Sequence, residues 1–229
     1  DEQFNSAVTD IFRNEYLSPR SPYTTLQIPK QGIGEWCHPL HTVDIDDSGL
    51  RSSVQKGVLN TKLGVPFRTP AEGQNIAFTS LWDNYPDSLT VSLKGKASRA
   101  YLLMAGSTNH MQCHIDNGLI RVYYKDGTCD KMALRNPDNW APIEHIFFED
   151  DLAFNRHAPA LYRLRLKTGE ISNNFGEELG FPGASRELDG GAAILLEMPL
   201  NPDKKLSHLV LETLSNDVVI GLMGITLQR

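Results

Sequence analysis

The chain contains no apolar run near the ~20 residues that a membrane-spanning helix needs, which argues against membrane insertion. It has no basic excess either. Lys and Arg total 22 against 28 Asp and Glu, a formal charge of −6. Nucleic-acid binding wants a clustered basic surface, so nucleic acid and anionic membrane surfaces are excluded as expected partners. No run of like charges is long enough to serve as an interaction tail. Cysteine is scarce: Cys37, Cys113 and Cys129 lie far apart, with no C-x-x-C and no zinc-ribbon spacing. An odd count leaves at least one thiol free. Buried free thiols are expected, with a Cys37–Cys113 or Cys113–Cys129 bridge left open. Also missing are a G-x-S-x-G elbow, a Walker loop, a Rossmann glycine fingerprint and an H-E-x-x-H helix. Cys37 beside His38 does not make a dyad, because adjacent strand residues point to opposite faces.

What remains is an ordinary globular composition, 40% hydrophobic and 22% charged over 229 residues. A chain of this size buries roughly 70–75% of its unfolded surface and needs no disulfide or metal to fold. It starts at Asp1 rather than Met, as expected of a mature chain or an excised piece. Phe4, Val8, Ile11, Phe12 and Tyr16 fall at helical spacing and predict a helix over residues 1–16, stopped by Ser18-Pro19-Arg20-Ser21-Pro22. Residues 1–22 then form an N-terminal helix and linker, and 23–229 a single β-sandwich domain. Thr24 to Ile28 reads as a short strand, and residues 40–75 as irregular.

Beyond Asn75 the strand signal is sustained. Strands are predicted over 76–82, 89–93, 100–105, 118–125, 128–134, 161–167, 192–198, 205–213 and 218–228. Ala100 to Ala105 is apolar throughout, the pattern of a strand covered on both faces or in a sandwich core. Asp126-Gly127 predicts a hairpin with a type I′ turn. No βαβ alternation occurs, so the predicted class is an all-β antiparallel sandwich of jelly-roll type. Residues 168–191 are the longest polar, Gly-rich break.

Three tryptophans stand in polar, proline-flanked clusters: Glu35-Trp36-Cys37-His38-Pro39, Trp82-Asp83-Asn84-Tyr85-Pro86 and Asn139-Trp140-Ala141-Pro142-Ile143-Glu144-His145. An indole stacks on the C–H face of a sugar ring, and carboxylates and amides hold its hydroxyls. Trp36, Trp82 and Trp140 are therefore the candidate stacking platforms. Glu35, Asp83, Asn84, Asn109 and Glu144 are the candidate hydroxyl contacts. A Trp is also a common core residue, and core packing is the competing reading of each cluster. Glu35, Asp83 and Glu144 are also the carboxylates from which a glycosidase pair would have to come. Asp44-Ile45-Asp46-Asp47-Ser48-Gly49 begins like a calcium loop, making Asp44, Asp46 and Asp47 the candidate metal ligands. Its twelfth position is Gln55 rather than a bidentate Glu, and a solvated turn is the competing reading. No other cofactor is expected. In Ser107-Thr108-Asn109-His110-Met111-Gln112-Cys113-His114, an extended backbone puts His110, Gln112 and His114 on one face. The two imidazoles would then lie roughly 13 Å apart along the strand, too far for one zinc. Asn109 and Gln112 read as hydrogen-bonding groups at a strand end.

Several long stretches resemble one family. They include Tyr16-Leu17-Ser18-Pro19-Arg20-Ser21-Pro22-Tyr23, Gly32-Ile33-Gly34-Glu35-Trp36-Cys37-His38-Pro39, Phe78-Thr79-Ser80-Leu81-Trp82-Asp83-Asn84-Tyr85-Pro86 and Asn216-Asp217-Val218-Val219-Ile220-Gly221-Leu222-Met223. They look like the C-terminal portion of large secreted proteins of unknown function that gut anaerobes encode beside polysaccharide-degrading genes. The resemblance implies a galactose-binding-like β-sandwich appended to a glycoside-hydrolase-like region, in the periplasm or outside the cell. It carries no catalytic residues over. The expected role is a non-catalytic carbohydrate-binding or domain-bracing accessory module, whose partner is a glycan or the upstream domain of the same polypeptide. A purely structural module and a small glycosidase or lyase are the alternatives.

Overall fold

A computed structural model of the chain describes residues 3–12, 44–108, 112–144, 156–174, 188–216 and 218–229. The Thr24–Ile28 strand and the Trp36 cluster, with Glu35, lie outside the described residues, as does Asn109. Two antiparallel sheets make the sandwich. The larger has six strands: β4 (Ala77–Ser80), β6 (Arg99–Thr108), β9 (Tyr162–Arg165), β10 (Ile171–Ser172), β11 (Ala192–Pro199) and β13 (Val218–Gln228). Their order is β10-β9-β11-β6-β13-β4. The smaller has four: β5 (Ser88–Ser92), β7 (Asp116–Tyr124), β8 (Cys129–Arg135) and β12 (Leu206–Thr213), in the order β5-β12-β7-β8.

Side chains of a strand alternate between faces, and in β6 both faces are apolar. Leu102 and Met104 point toward the four-stranded sheet. There they meet Ile120 and Val122 from β7, Leu209 and Leu211 from β12, and Ile220 from β13. Leu103 and Ala105 point the other way, with Ala193, Leu195, Val219 and Met223. The six-stranded sheet therefore has a core on each side and needs a third layer. That layer comes from the stretch that reads as irregular. It holds α1 (Ser48–Ser53) and a small sheet of β1 (Val54–Gln55), β2 (Val58–Asn60) and β3 (Pro66–Arg68), with Leu50, Leu59 and Phe67 pointing inward.

The strands predicted beyond Asn75 recur within a residue or two, except that β6 runs three residues further than expected, to Thr108. The N-terminal helix is shorter than predicted. Among residues 3–12 it is one 3-10 turn, Val8–Asp10, preceded by an isolated bridge from Ser6 to Ile76. Val8 and Ile11 still bury, because both pack under the third layer. The hairpin joining β7 and β8 exists, with a different turn. Gly127 has φ +86°, while Asp126 stays out of the left-handed region. Gly127 N donates to Tyr124 O at 3.1 Å and Tyr124 N to Thr128 O at 2.9 Å. This is a three-residue loop with Gly in the left-handed position. Asp126 Oδ1 accepts from Thr128 N and Oγ1 instead of shaping the turn by its own backbone. No disulfide joins Cys113 to Cys129, and both side chains are half-buried rather than buried.

Gly106, in β6, sets how closely the layers approach. A Cβ there would collide with the Val219 carbonyl oxygen and come within 2.7 Å of Trp140 Cζ2 and Cη2. Gly106→Ala is expected to lower stability by about 1–3 kcal/mol or more, the scale of core overpacking. Thermal or urea unfolding reads it; an unaltered midpoint would mean that the indole does not lie on this strand.

Candidate functional site

The connections after β4, β6 and β8 carry most of the described residues that the sequence singles out. The Trp82 cluster follows β4. Trp82 is 7% exposed and packs in the core under the third layer. Tyr85, equally buried, lies against Phe78 with ring centroids 5.1 Å apart. Ser80 ties the turn together. Its hydroxyl donates to Asn84 Oδ1 at 3.0 Å, its oxygen accepts from Trp82 N at 3.2 Å, and Ser80 N donates to Pro86 O. The aromatic groups of this cluster thus face inward and Asn84 is engaged by Ser80. Asp83 and Pro86 are its exposed members.

The Trp140 cluster follows β8, and it too is turned inward. Trp140 has no exposed surface and sits between the two large sheets. Its Nε1 is buried without a hydrogen-bond partner among the described residues. Asn139 builds the turn that delivers it, accepting from Arg135 N at 2.8 Å and donating to Ala133 O at 2.8 Å. The expectation of stacking platforms at Trp82 and Trp140 is thereby corrected. Sugar stacking needs an open indole face, and both are used up in packing.

Glu144 is corrected in the same way. The carboxylate is 6% exposed and accepts from Ser107 Oγ at 3.0 and 3.2 Å. Burial pushes it up to about 7, with the Ser107 hydrogen bond and the charge of Arg163 opposing the shift. Arg163, also buried, donates from Nη2 to Pro142 O at 2.6 Å and to Ala192 O at 3.2 Å. Desolvation brings its guanidinium down to about 10 against the attraction of Glu144. Two opposite charges in a dry site support each other only when their remaining hydrogen-bonding capacity is met. Ser107 and the carbonyls of Pro142 and Ala192 meet part of that capacity here. The arrangement braces the connection leading to Glu144 rather than reaching for a ligand.

The Asp44–Asp47 run does not gather around one point. Asp47 Oδ2 takes Arg51 Nε and Asn75 Nδ2, each at 2.8 Å. Asp46 Oδ1 accepts Ser48 N at the start of α1, which holds its carboxyl below the usual range. Asp44 is exposed. The D-x-D-x-S-G pattern is here a helix start with an internal ion pair.

A different group converges. The chain leaving β6 and the chain leaving β8 are bridged at Cys113 and Asn136, and His114 N donates to Asn136 O at 2.8 Å. Beneath them Asn117, fully buried, accepts from Thr108 Oγ1 and donates to Gln112 O and Ile115 O. Its carbonyl takes Leu214 N and Ser215 N from the β12–β13 connection. Gln112 is buried with it, its Oε1 unpartnered among the described residues. On this support His114, Asp138 and His157 come together, with one ligand atom from each lying within 4.8 Å of the others. Sequence reasoning weighs His114 with His110 alone and finds that pair too far apart for one ion; His110 lies outside the described residues. Asp138 and His157 carry no local signal, because they arrive from other connections.

A groove of about 610 Å³ opens at the edge between the two large sheets. Leu89, Val91, Leu222 and Ile225 form its walls, with Phe4, Gln3, Arg68 and Ser92 around them. Gln3 Nε2 donates to Thr90 O of β5 at 2.7 Å, tying the N-terminal segment to the side of the groove.

Two tests follow from the buried clusters. Trp140→Ala should lose about 3–5 kcal/mol of stability, as for a core aromatic; a solvent-facing indole would leave the unfolding midpoint unchanged. For Glu144 the folded carboxyl titrates near 7 and the unfolded one near 4.5. Between these values the folded state holds the extra proton, so this group's contribution is complete below the lower value and is lost as pH rises through the upper one. Glu144→Gln should remove a slope of up to about 1.4 kcal/mol per pH unit in that window. Urea unfolding at successive pH values measures it, and an unchanged slope would put the carboxyl in water. Comparison with protein-family models, with curated proteins and with solved structures gives no match.

Proposed function

We propose that this β-sandwich is a non-catalytic accessory module of a carbohydrate-active protein, acting outside the cytoplasm and recognising a glycan along the groove at the sheet edge. The groove carries the reading. At about 610 Å³ it falls within the size range of small-ligand sites. It joins apolar walls to a polar rim, the mixture that a sugar ring with C–H faces and hydroxyls requires. Phe4 and Ile225 would meet the ring, and Gln3, Arg68 and Ser92 would meet its hydroxyls.

Bracing of a neighbouring domain is the second reading, and one observation favours it. Both described tryptophans are spent in the core, leaving a groove lined mainly by aliphatic side chains, with Phe4 beside them. Such walls suit a protein segment as well as a sugar. The glycosidase alternative loses support from Glu144, whose carboxylate is engaged by Ser107 and closed off from solvent.

A plant and host glycan array probed with the 229-residue chain tests the proposal, followed by titration of the best ligand into Phe4→Ala and Arg68→Ala. Recognition in the groove predicts a loss of about tenfold or more in affinity with the unfolding midpoint kept. Silence across the array would transfer the role to bracing. Undiminished binding by both variants would move the glycan elsewhere on the surface.

A further inference from the structure

We infer that His114, Asp138 and His157 form a binding site for a divalent first-row transition metal of the zinc class. Two imidazoles and one carboxylate are a recurrent ligand set for such ions, in which three protein groups leave a further position for water or a ligand. Hard cations such as calcium want oxygen ligands throughout, so this set selects against them. The inference is independent of the glycan reading, since it concerns a separate cluster.

The geometry is close to what the ion requires. The three ligand atoms lie within 4.8 Å of one another. Around a tetrahedral zinc with bonds of about 2.0–2.1 Å they would be about 3.3 Å apart. The remaining contraction is a matter of side-chain rotation, for which the 69% exposed His157 side chain leaves room on its solvent side. The imidazoles of His114 and His157 already lie side by side, with centroids 4.7 Å apart and planes 29° from parallel. Asp138 Oδ1 is held by His157 N at 2.7 Å. Its other oxygen, 4.0 Å from His157 Nδ1, is the one aimed at the rings. This is the outer-shell support that metal-ligating carboxylates usually have.

The backbone adds an independent sign. His114 has φ +56°, in the left-handed region that non-glycine residues seldom occupy. Such conformations persist where surrounding structure enforces them, and they cluster at functional sites. Here His114 N–H to Asn136 O, the Cys113–Asn136 bridge and the buried Asn117 enforce it. The effect is to turn the His114 ring toward the connection that carries Asp138. A bound ion would further join the connections after β6 and β8 to the segment before β9, which already meet through His114 N–H to Asn136 O and His157 N–H to Asp138 Oδ1.

The test uses the untagged chain, stripped with chelator and dialysed against metal-free buffer. Calorimetric titration with zinc chloride should give one equivalent per chain, and cobalt(II) should bind with the visible absorption of a low-coordinate site. His157→Ala, at an exposed position, should weaken binding by about tenfold or more without altering the metal-free unfolding midpoint. Asp138→Asn should act likewise, and His208→Ala, in β12 away from the cluster, should not. Zinc should raise the midpoint of the parent chain and leave that of His157→Ala in place. The inference is overturned if the parent chain takes up no stoichiometric zinc or cobalt, or if His157→Ala and Asp138→Asn bind as the parent does. Two stacked imidazoles beside a carboxylate would then be a hydrogen-bonded surface cluster alone.

Discussion

The central constraint on this fold is that β6, β11 and β13 are apolar on both faces. A sheet of that kind cannot leave either side in water. Leu102, Met104 and Ile220 call for one covering layer, and Leu103, Leu195 and Val219 for another. The four-stranded sheet supplies the first. The second is assembled from short pieces, α1 with β1 to β3 and the segment around Val8, which have little regular structure of their own. Covering a sheet with such pieces brings backbone and polar side chains inside, and these must find partners. The pairing of Asp47 with Arg51 and Asn75 meets that demand.

The same constraint decides the fate of the tryptophans. Trp82 fills the space above β4 on one side of the central sheet, and Trp140 the space over Gly106 on the other. Both are delivered by turns that their polar neighbours build, Ser80 with Asn84 in one case and Asn139 in the other. The mixture of indole and polar groups that resembles a sugar site is, at these two places, a closing device for the ends of the sandwich. The two proposed sites, the edge groove and the cluster around His114, do not depend on an exposed indole.

Residues 135–144 link the buried and surface chemistry. The segment begins at Arg135, whose Nε is paired with Asp116 at 2.6 Å, passes Asp138 at the surface, buries Trp140 and ends at Glu144 beside Ser107. Packing and paired charges anchor both sides of Asp138. A carboxylate held in this way loses little freedom on meeting a ligand, which is the usual merit of a preorganised site.

The strands could be read from the chain because alternation and apolar runs are local signals. Leu89 to Leu93, Ala100 to Ala105 and the flanks of Asp126-Gly127 carry them in a few consecutive residues. α1 went unseen because Leu50 is its one buried residue, too few to show a period, and β1 to β3 are two or three residues long. Of the site, the chain by itself picked out His114, Trp82, Trp140 and Glu144 as chemically notable. Which of them face water was settled by the layers that close over the central sheet. Which of them meet was settled by the connections that bring Asp138 and His157 to His114. Local sequence determines what a residue can do. Burial and convergence depend on contacts between segments far apart in the chain, and those exist only once the sheets have packed.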